Sequence, residues 1–145
     1  MPSSTDFPGR GKIVEIRDNI VVFQPSLTNY QIHLQFTGDT KPELSKHPVE
    51  CLIRVEARKV YTVPSGGNFI QPIFGPPKII QGRVKYADNK TVVVHAGVPI
   101  ICQLPDADTA IDLSEGNIRV GHMANVVALR GATIEVLAVE TSTRL

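Results

Sequence analysis

The chain has 145 residues, of which 42% are hydrophobic and 20% charged, with a formal net charge of +1; these are values of a folded globular protein and exclude an intrinsically disordered tail. Charge divides evenly, with 8 basic and 7 acidic residues in 1–77 and 7 of each in 78–145, which argues against a nucleic-acid binder built on a strong basic excess. No stretch reaches the roughly 18 apolar residues of a membrane span, and Met1-Pro2-Ser3-Ser4-Thr5-Asp6 lacks the basic-then-apolar pattern of a secretory signal, so a cytoplasmic protein without membrane contact is expected.

In chain order, almost every segment reads as a short strand. Lys12-Ile13-Val14-Glu15-Ile16-Arg17 is strand-like, Asp18-Asn19 is a turn signal, and 20–24 forms the second strand. A third strand, Tyr30–Phe36, follows a loop containing Pro25. Thr40-Lys41-Pro42-Glu43-Leu44-Ser45-Lys46 is the first helical candidate, with Thr40 as cap and Pro42 in the first turn. Val49–Val63 is the longest strand, with Cys51, Ile53, Val55 and Ala57 on one face and Leu52, Arg54, Glu56 and Arg58 on the other. Ser65-Gly66-Gly67-Asn68 is a hairpin loop leading into a strand over Asn68–Phe74.

The second half runs through a similar order. Gly82-Arg83-Val84-Lys85, Asp88-Asn89 and a strand over 91–95 answer Gly11-Lys12-Ile13-Val14, Asp18-Asn19 and 20–24. Val98–Leu104 follows, then a short helical candidate at Asp108–Leu113, a fourth strand Met123–Arg130 and a last strand Ala132–Glu140. Val49, Val55, Ala57, Thr62 and Val63 find counterparts 71 residues later in Val120, Val126, Ala128, Thr133 and Ile134. Such self-similarity marks a duplicated supersecondary unit.

Five strands with helical material between the third and fourth is the order of a small Greek-key barrel of the OB type. The expectation is an all-β protein of two closely packed, tandem five-stranded OB-like barrels, 1–77 and 78–145. The alternative is one pseudo-symmetric barrel of two interleaved halves. The run from Ser114 to Val136, with Gly121, the strand Met123–Arg130, a turn at Gly131 and a last strand, resembles the end of the OB-type domain of NfeD-family proteins. That resemblance implies the fold and no particular function.

The outward row Arg54 and Arg58, with Lys59 and Tyr61, is the candidate contact for nucleic acid or another anion, although Glu56 interrupts it and the chain has no Trp. At the matching positions of the second half the row becomes Met123, Asn125, Val127 and Leu129. An apolar face of this kind is expected to be covered by the other barrel or by a partner. Phe69 and Phe74 join Met123, Val127 and Leu129 as partner-surface candidates. They extend that surface into the proline-rich stretch 64–77, which reads either as a connector between barrels or as an arm for self-association.

Cys51 and Cys102 are expected to be reduced and buried in strands. His33, His47, His95 and His122 show no zinc spacing relative to one another or to the cysteines, and Asp106, Asp108, Asp112 and Glu115 fail the spacing of a calcium loop. No nucleophile elbow or phosphate loop is present. The expected function is therefore a non-enzymatic binding or assembly module without cofactor, acting through a protein partner or self-association. Single-stranded nucleic-acid binding is the rival reading.

Overall fold

The computed structural model describes residues 3–39, 42–44, 47–88, 90–104 and 118–139. The fold is all-β. Eleven strands form one continuous hydrogen-bonded sheet: β1 (Gly9–Arg17), β2 (Ile20–Pro25), β3 (Gln31–Thr37), β4 (Val49–Val63), β5 (Phe69–Gln71), β6 (Phe74–Gly75), β7 (Ile79–Ala87), β8 (Thr91–His95), β9 (Pro99–Gln103), β10 (Met123–Ala128) and β11 (Thr133–Val139). Among the described residues the first helical candidate shows no regular structure at 42–44, and the rest of it, with the second at Asp108–Leu113, lies outside the described residues.

The pairings return on themselves twice. β1, β2, β3, β11 and β4 form a closed circuit, because β4 pairs back to β1; β7, β8, β9, β4 and β10 form a second, because β10 pairs back to β7. Each circuit contains one parallel contact, β3 with β11 and β9 with β4. β4 belongs to both. Its 15 residues extend about 50 Å at roughly 3.3 Å per residue, long enough to serve two rings in succession. Val49–Arg54 pairs with β11, and Ala57–Val63 pairs with β10.

β1–β2 and β7–β8 share one register. Lys12↔Gln24, Ile13↔Phe23, Glu15↔Val22 and Ile16↔Val21 recur as Arg83↔His95, Val84↔Val94, Tyr86↔Val93 and Ala87↔Val92, each residue 71 positions on. A bulge falls at Val14 in one pair and at Lys85 in the other. Bulges bend and twist a strand, and here each lies two or three residues beyond the point where the first strand of its circuit passes from one neighbour to another. Gly11 and Gly82 sit where that happens. A Cβ on Gly11 would lie 2.3 Å from the Gln24 carbonyl oxygen, and one on Gly82 would lie 2.1 Å from that of His95, so only glycine fits.

The spacing widens further along. Gly11 pairs with Val49 and Gly82 with Ala124, so Val49 corresponds to Ala124 rather than Val120, a separation of 124 − 49 = 75. The four-residue difference is even, so inward and outward faces keep their sides.

One core runs through both circuits. Phe23, Ile32 and Leu34 belong to the same buried cluster as Val84, Val94 and Ile100, and Ile53 and Val55 of β4 are members of it too. Outside it, Leu52 packs with Val93 and Ile101 beneath Phe7 and Tyr86. The expected strand over Asn68–Phe74 is divided into β5 and β6, because Pro72 has no N–H to donate to a ladder. β5 pairs with β7 and β6 with β3, so the proline-rich stretch lies along the molecule and ties one circuit to the other. The strand expected over Met123–Arg130 ends at Ala128, ahead of a turn where Gly131 takes φ 98°.

Candidate functional site

The outward face of β4 begins buried and ends exposed. Arg54 is half-buried and its Nη1 donates to Glu135 Oε1 at 2.8 Å. That ion pair joins β4 to β11, and it commits the first cation of the expected anion row to a structural contact. Glu56 and Arg58 are exposed. The Lys59 ammonium stands 5.5 Å from the centre of the Tyr61 ring, a geometry in which the ring attracts the cation. Tyr61 is 37% exposed. A single ring at this strand end offers little of the roughly 1–3 kcal/mol per base that stacking contributes to single-strand binding.

The outward face of β10 is closed by the chain itself. Met123 and Asn125 are buried, and Val127 is half-buried. Asn125 Nδ2 donates to Gln81 Oε1 at 3.1 Å, and Gln81 Nε2 donates to the Gly67 carbonyl at 2.9 Å. A Cβ on Gly66 would stand 2.6 Å from Gln81 Nε2, so the Ser65-Gly66-Gly67-Asn68 loop approaches this pair at a distance that suits glycine. Phe69, half-buried on β5, pairs opposite Gln81. Met123, Val127 and Phe69 therefore pack within the fold and offer little free surface.

Phe74 and Leu129 are different. Phe74 is 61% exposed and Leu129 44%. The Phe74 ring meets the His33 ring edge-on at 4.6 Å between centres. Both parts follow from strand geometry: β6 runs parallel to β3 with Gln31 opposite Phe74, and His33 points outward because Ile32 and Leu34 face the core. Ile73, 62% exposed, lines a second depression with Leu27, Tyr30 and Gly97. Ile73 and Phe74 thus form an exposed apolar ridge, Ile73 lining one hollow and Phe74 packed on His33, a lining residue of another.

The larger hollow is a cleft of about 530 Å³ between β3, the Pro76-Pro77-Lys78 connector and the turn joining β10 to β11. It sits where β3 changes partner, since β6 covers Gln31 and Ile32 while β11 begins opposite Gln35. His33 and Gln35 lie along β3 at this gap, Ile20, Pro77, Leu129 and Ala132 are apolar walls, and Lys78 and Arg130 are at the rim. The volume lies in the range of ligand-binding hollows. His33 Nε2 is buried and has no hydrogen-bond partner among the described residues, a state that costs about 1–3 kcal/mol. Sequence reasoning weighed His33 only as a metal ligand and did not single out Lys78 or Arg130. The outward parity of His33 is readable from Ile32 and Leu34, but its meeting with Phe74 depends on a long-range parallel pairing.

Neither hollow has the makings of chemistry at a thiol. Burial pushes Cys51 and Cys102 up from the usual 9.0 to about 12, with the Glu50 charge adding to the effect at Cys51. Both are free thiols. Among the described residues no three His, Cys, Asp or Glu side chains are grouped to hold a metal ion, and no helix is long and apolar enough to cross a membrane. Comparison of the chain with protein-family models, with curated proteins and with solved structures found no match.

Proposed function

We propose that the protein is a non-catalytic binding module: two OB-like five-stranded barrels, each completed by a strand from the other half of the chain, that capture a partner polypeptide on the ridge of Ile73 and Phe74 and the cleft beside it. The observation that carries this reading is the exposure of Phe74 and Leu129 around one cleft: Leu129 lines it, and Phe74 packs on His33, which lines it too. Large apolar side chains exposed together around a concave hollow mark association surfaces. The apolar outer surface near β10 is in part covered by the 64–71 segment, whereas Ile73 and Phe74 stay exposed, and it is to them that we assign the partner.

The test is association with and without the ridge. Light scattering at tens of micromolar reports self-association, and affinity capture with the intact chain as bait reports other partners. Phe74→Ser is expected to lose the captured partner, or to shift a dimer to monomer, while its thermal unfolding stays close to that of the parent. Unchanged association in that variant would remove the ridge from consideration. The single-strand reading keeps Arg58, Lys59 and Tyr61, and is tested by the anisotropy of a labelled strand at two salt concentrations. Phosphate-driven binding must weaken steeply as salt rises. The Arg58→Glu and Lys59→Glu pair is the informative change there, because a change at Arg54 would disturb the ion pair to Glu135.

A further inference from the structure

We infer that the segment captured at this surface carries a carboxylate next to an apolar side chain, with the apolar group seated in the cleft and the carboxylate between Lys78 and Arg130; the inference rests on the partner reading above. The first argument is charge. Among the described residues the lining contains two cations and no aspartate or glutamate, and neither Lys78 nor Arg130 makes an ion pair there. A cationic segment would meet two like charges at the rim, whereas a carboxylate would meet two donors, one of them a guanidinium suited to bidentate contact.

The second argument is the interior. Ile20, Pro77, Ala128 and Ala132 present apolar atoms, so the cleft is suited to a hydrocarbon side chain rather than to the charged group itself. Placing the carboxylate at the rim keeps it partly hydrated and avoids the cost of burying a charge. His33 lines the cleft as well, but its Nε2 is closed off from solvent, so selection rests on the apolar lining and on the two cations. Apolar contact inside and opposite charge at the edge is the usual division of labour at such surfaces: the apolar group supplies affinity, and the charge supplies selection.

The test uses the full chain, isotopically labelled, and two blocked peptides that differ only in carrying Leu-Glu or Leu-Gln in a Ser/Gly frame. Sodium octanoate serves as a free acid with an apolar body. The Leu-Glu peptide is expected to shift the resonances of His33 and Ala132 and to bind about ten-fold more tightly than the Leu-Gln peptide, the difference expected when one carboxylate meets two cations at a part-buried rim. The Lys78→Gln and Arg130→Gln double variant should erase that difference with the spectrum of the core unchanged. Equal binding of both peptides at these resonances would overturn the carboxylate inference while leaving the partner reading intact. Octanoate binding as tightly as the Leu-Glu peptide would show that a free organic acid, not a polypeptide, is the occupant, and would overturn the assignment. No shift with either peptide up to millimolar concentration would overturn it as well, and the Phe74→Ser association experiment then judges the partner reading separately.

Discussion

Cys51 and Cys102 face the shared core from β4 and β9, two strands that pair in parallel with Val55 opposite Cys102. In that environment a thiolate would be an unpaired charge in an apolar interior, so the proton is held until about pH 12. At neutral pH the folded protein should therefore be silent towards a thiol reagent such as Ellman's reagent, and both thiols should react once denaturant exposes them. Fast reaction of either thiol in the native state would contradict the packing of β4. The same shift has a consequence for stability. Unfolded thiols lose their protons near 9.0 while the folded ones keep theirs towards 12, so the unfolded state binds fewer protons in between. The contribution of these residues is complete below pH 9 and declines as pH rises from there towards 12. Arg54 and Glu135, each about one third exposed, carry less weight; removing one of them should cost about 0.5–1 kcal/mol. The inward face of β4 was readable from residue alternation alone. The pairing of Arg54 with Glu135 was not, because it needs β11 to lie beside β4 across 81 positions of chain.

At the scale of the element, Gly11 and Gly82 do the same work 71 residues apart. Each lies on the first strand of a circuit, inside a gap too small for a methyl group, with a backbone oxygen as the obstructing atom. Backbone moves less readily than the end of a side chain, so Gly11→Ala and Gly82→Ala are each expected to lower stability by about 1–3 kcal/mol, read as a lower denaturant midpoint at unchanged slope. Gly67→Ala is the natural control, since a Cβ there meets nothing within 4 Å. Similar midpoints for all three would mean that the strands do not close on themselves at these glycines. Local signals made these elements legible: the Gly11-Lys12-Ile13-Val14 and Gly82-Arg83-Val84-Lys85 runs, the Asp18-Asn19 turn and the alternation of β4 all lie where a strand or a hairpin forms. The boundaries of the proline-rich stretch were less legible. Pro72 divides it, and which strand each piece joins depends on β7 and β3, neither of which is a sequence neighbour of the loop. The ridge inherited that obscurity, since Phe74 gains its meaning from His33, 41 positions earlier along the chain.

The pairings of the whole molecule ignore the midpoint of the chain. The circuit that contains β1, β2 and β3 takes β11 from the second half, and the circuit that contains β7, β8 and β9 takes the end of β4 from the first. An expected boundary near residue 77 separates two similar sequences, yet each of the two rings crosses it. The shared register of β1–β2 and β7–β8 could be anticipated from the sequence because a similar strand pattern recurs in side-chain identities 71 residues apart. Exchange of the last strand could not, because β4 and β11 would present the same apolar face to either ring. This arrangement makes a definite prediction about fragments. A chain covering 1–77 lacks β11, so the gap between β3 and β4 stays open along the apolar positions that Ile134 and Val136 fill. A chain covering 78–145 lacks β4, so β9 and β10 each lose one of their two neighbours and the circuit stays open between them. Each fragment alone would expose core residues and unpaired strand edges, and is expected to show no cooperative unfolding transition and to bind a hydrophobic dye. Mixed at equal concentration, the two should recover the far-ultraviolet spectrum and a single transition, because each supplies the strand the other lacks. A 1–77 fragment that folds cooperatively by itself would show that its ring closes without β11, and the exchange of strands would then have no part in holding the protein together.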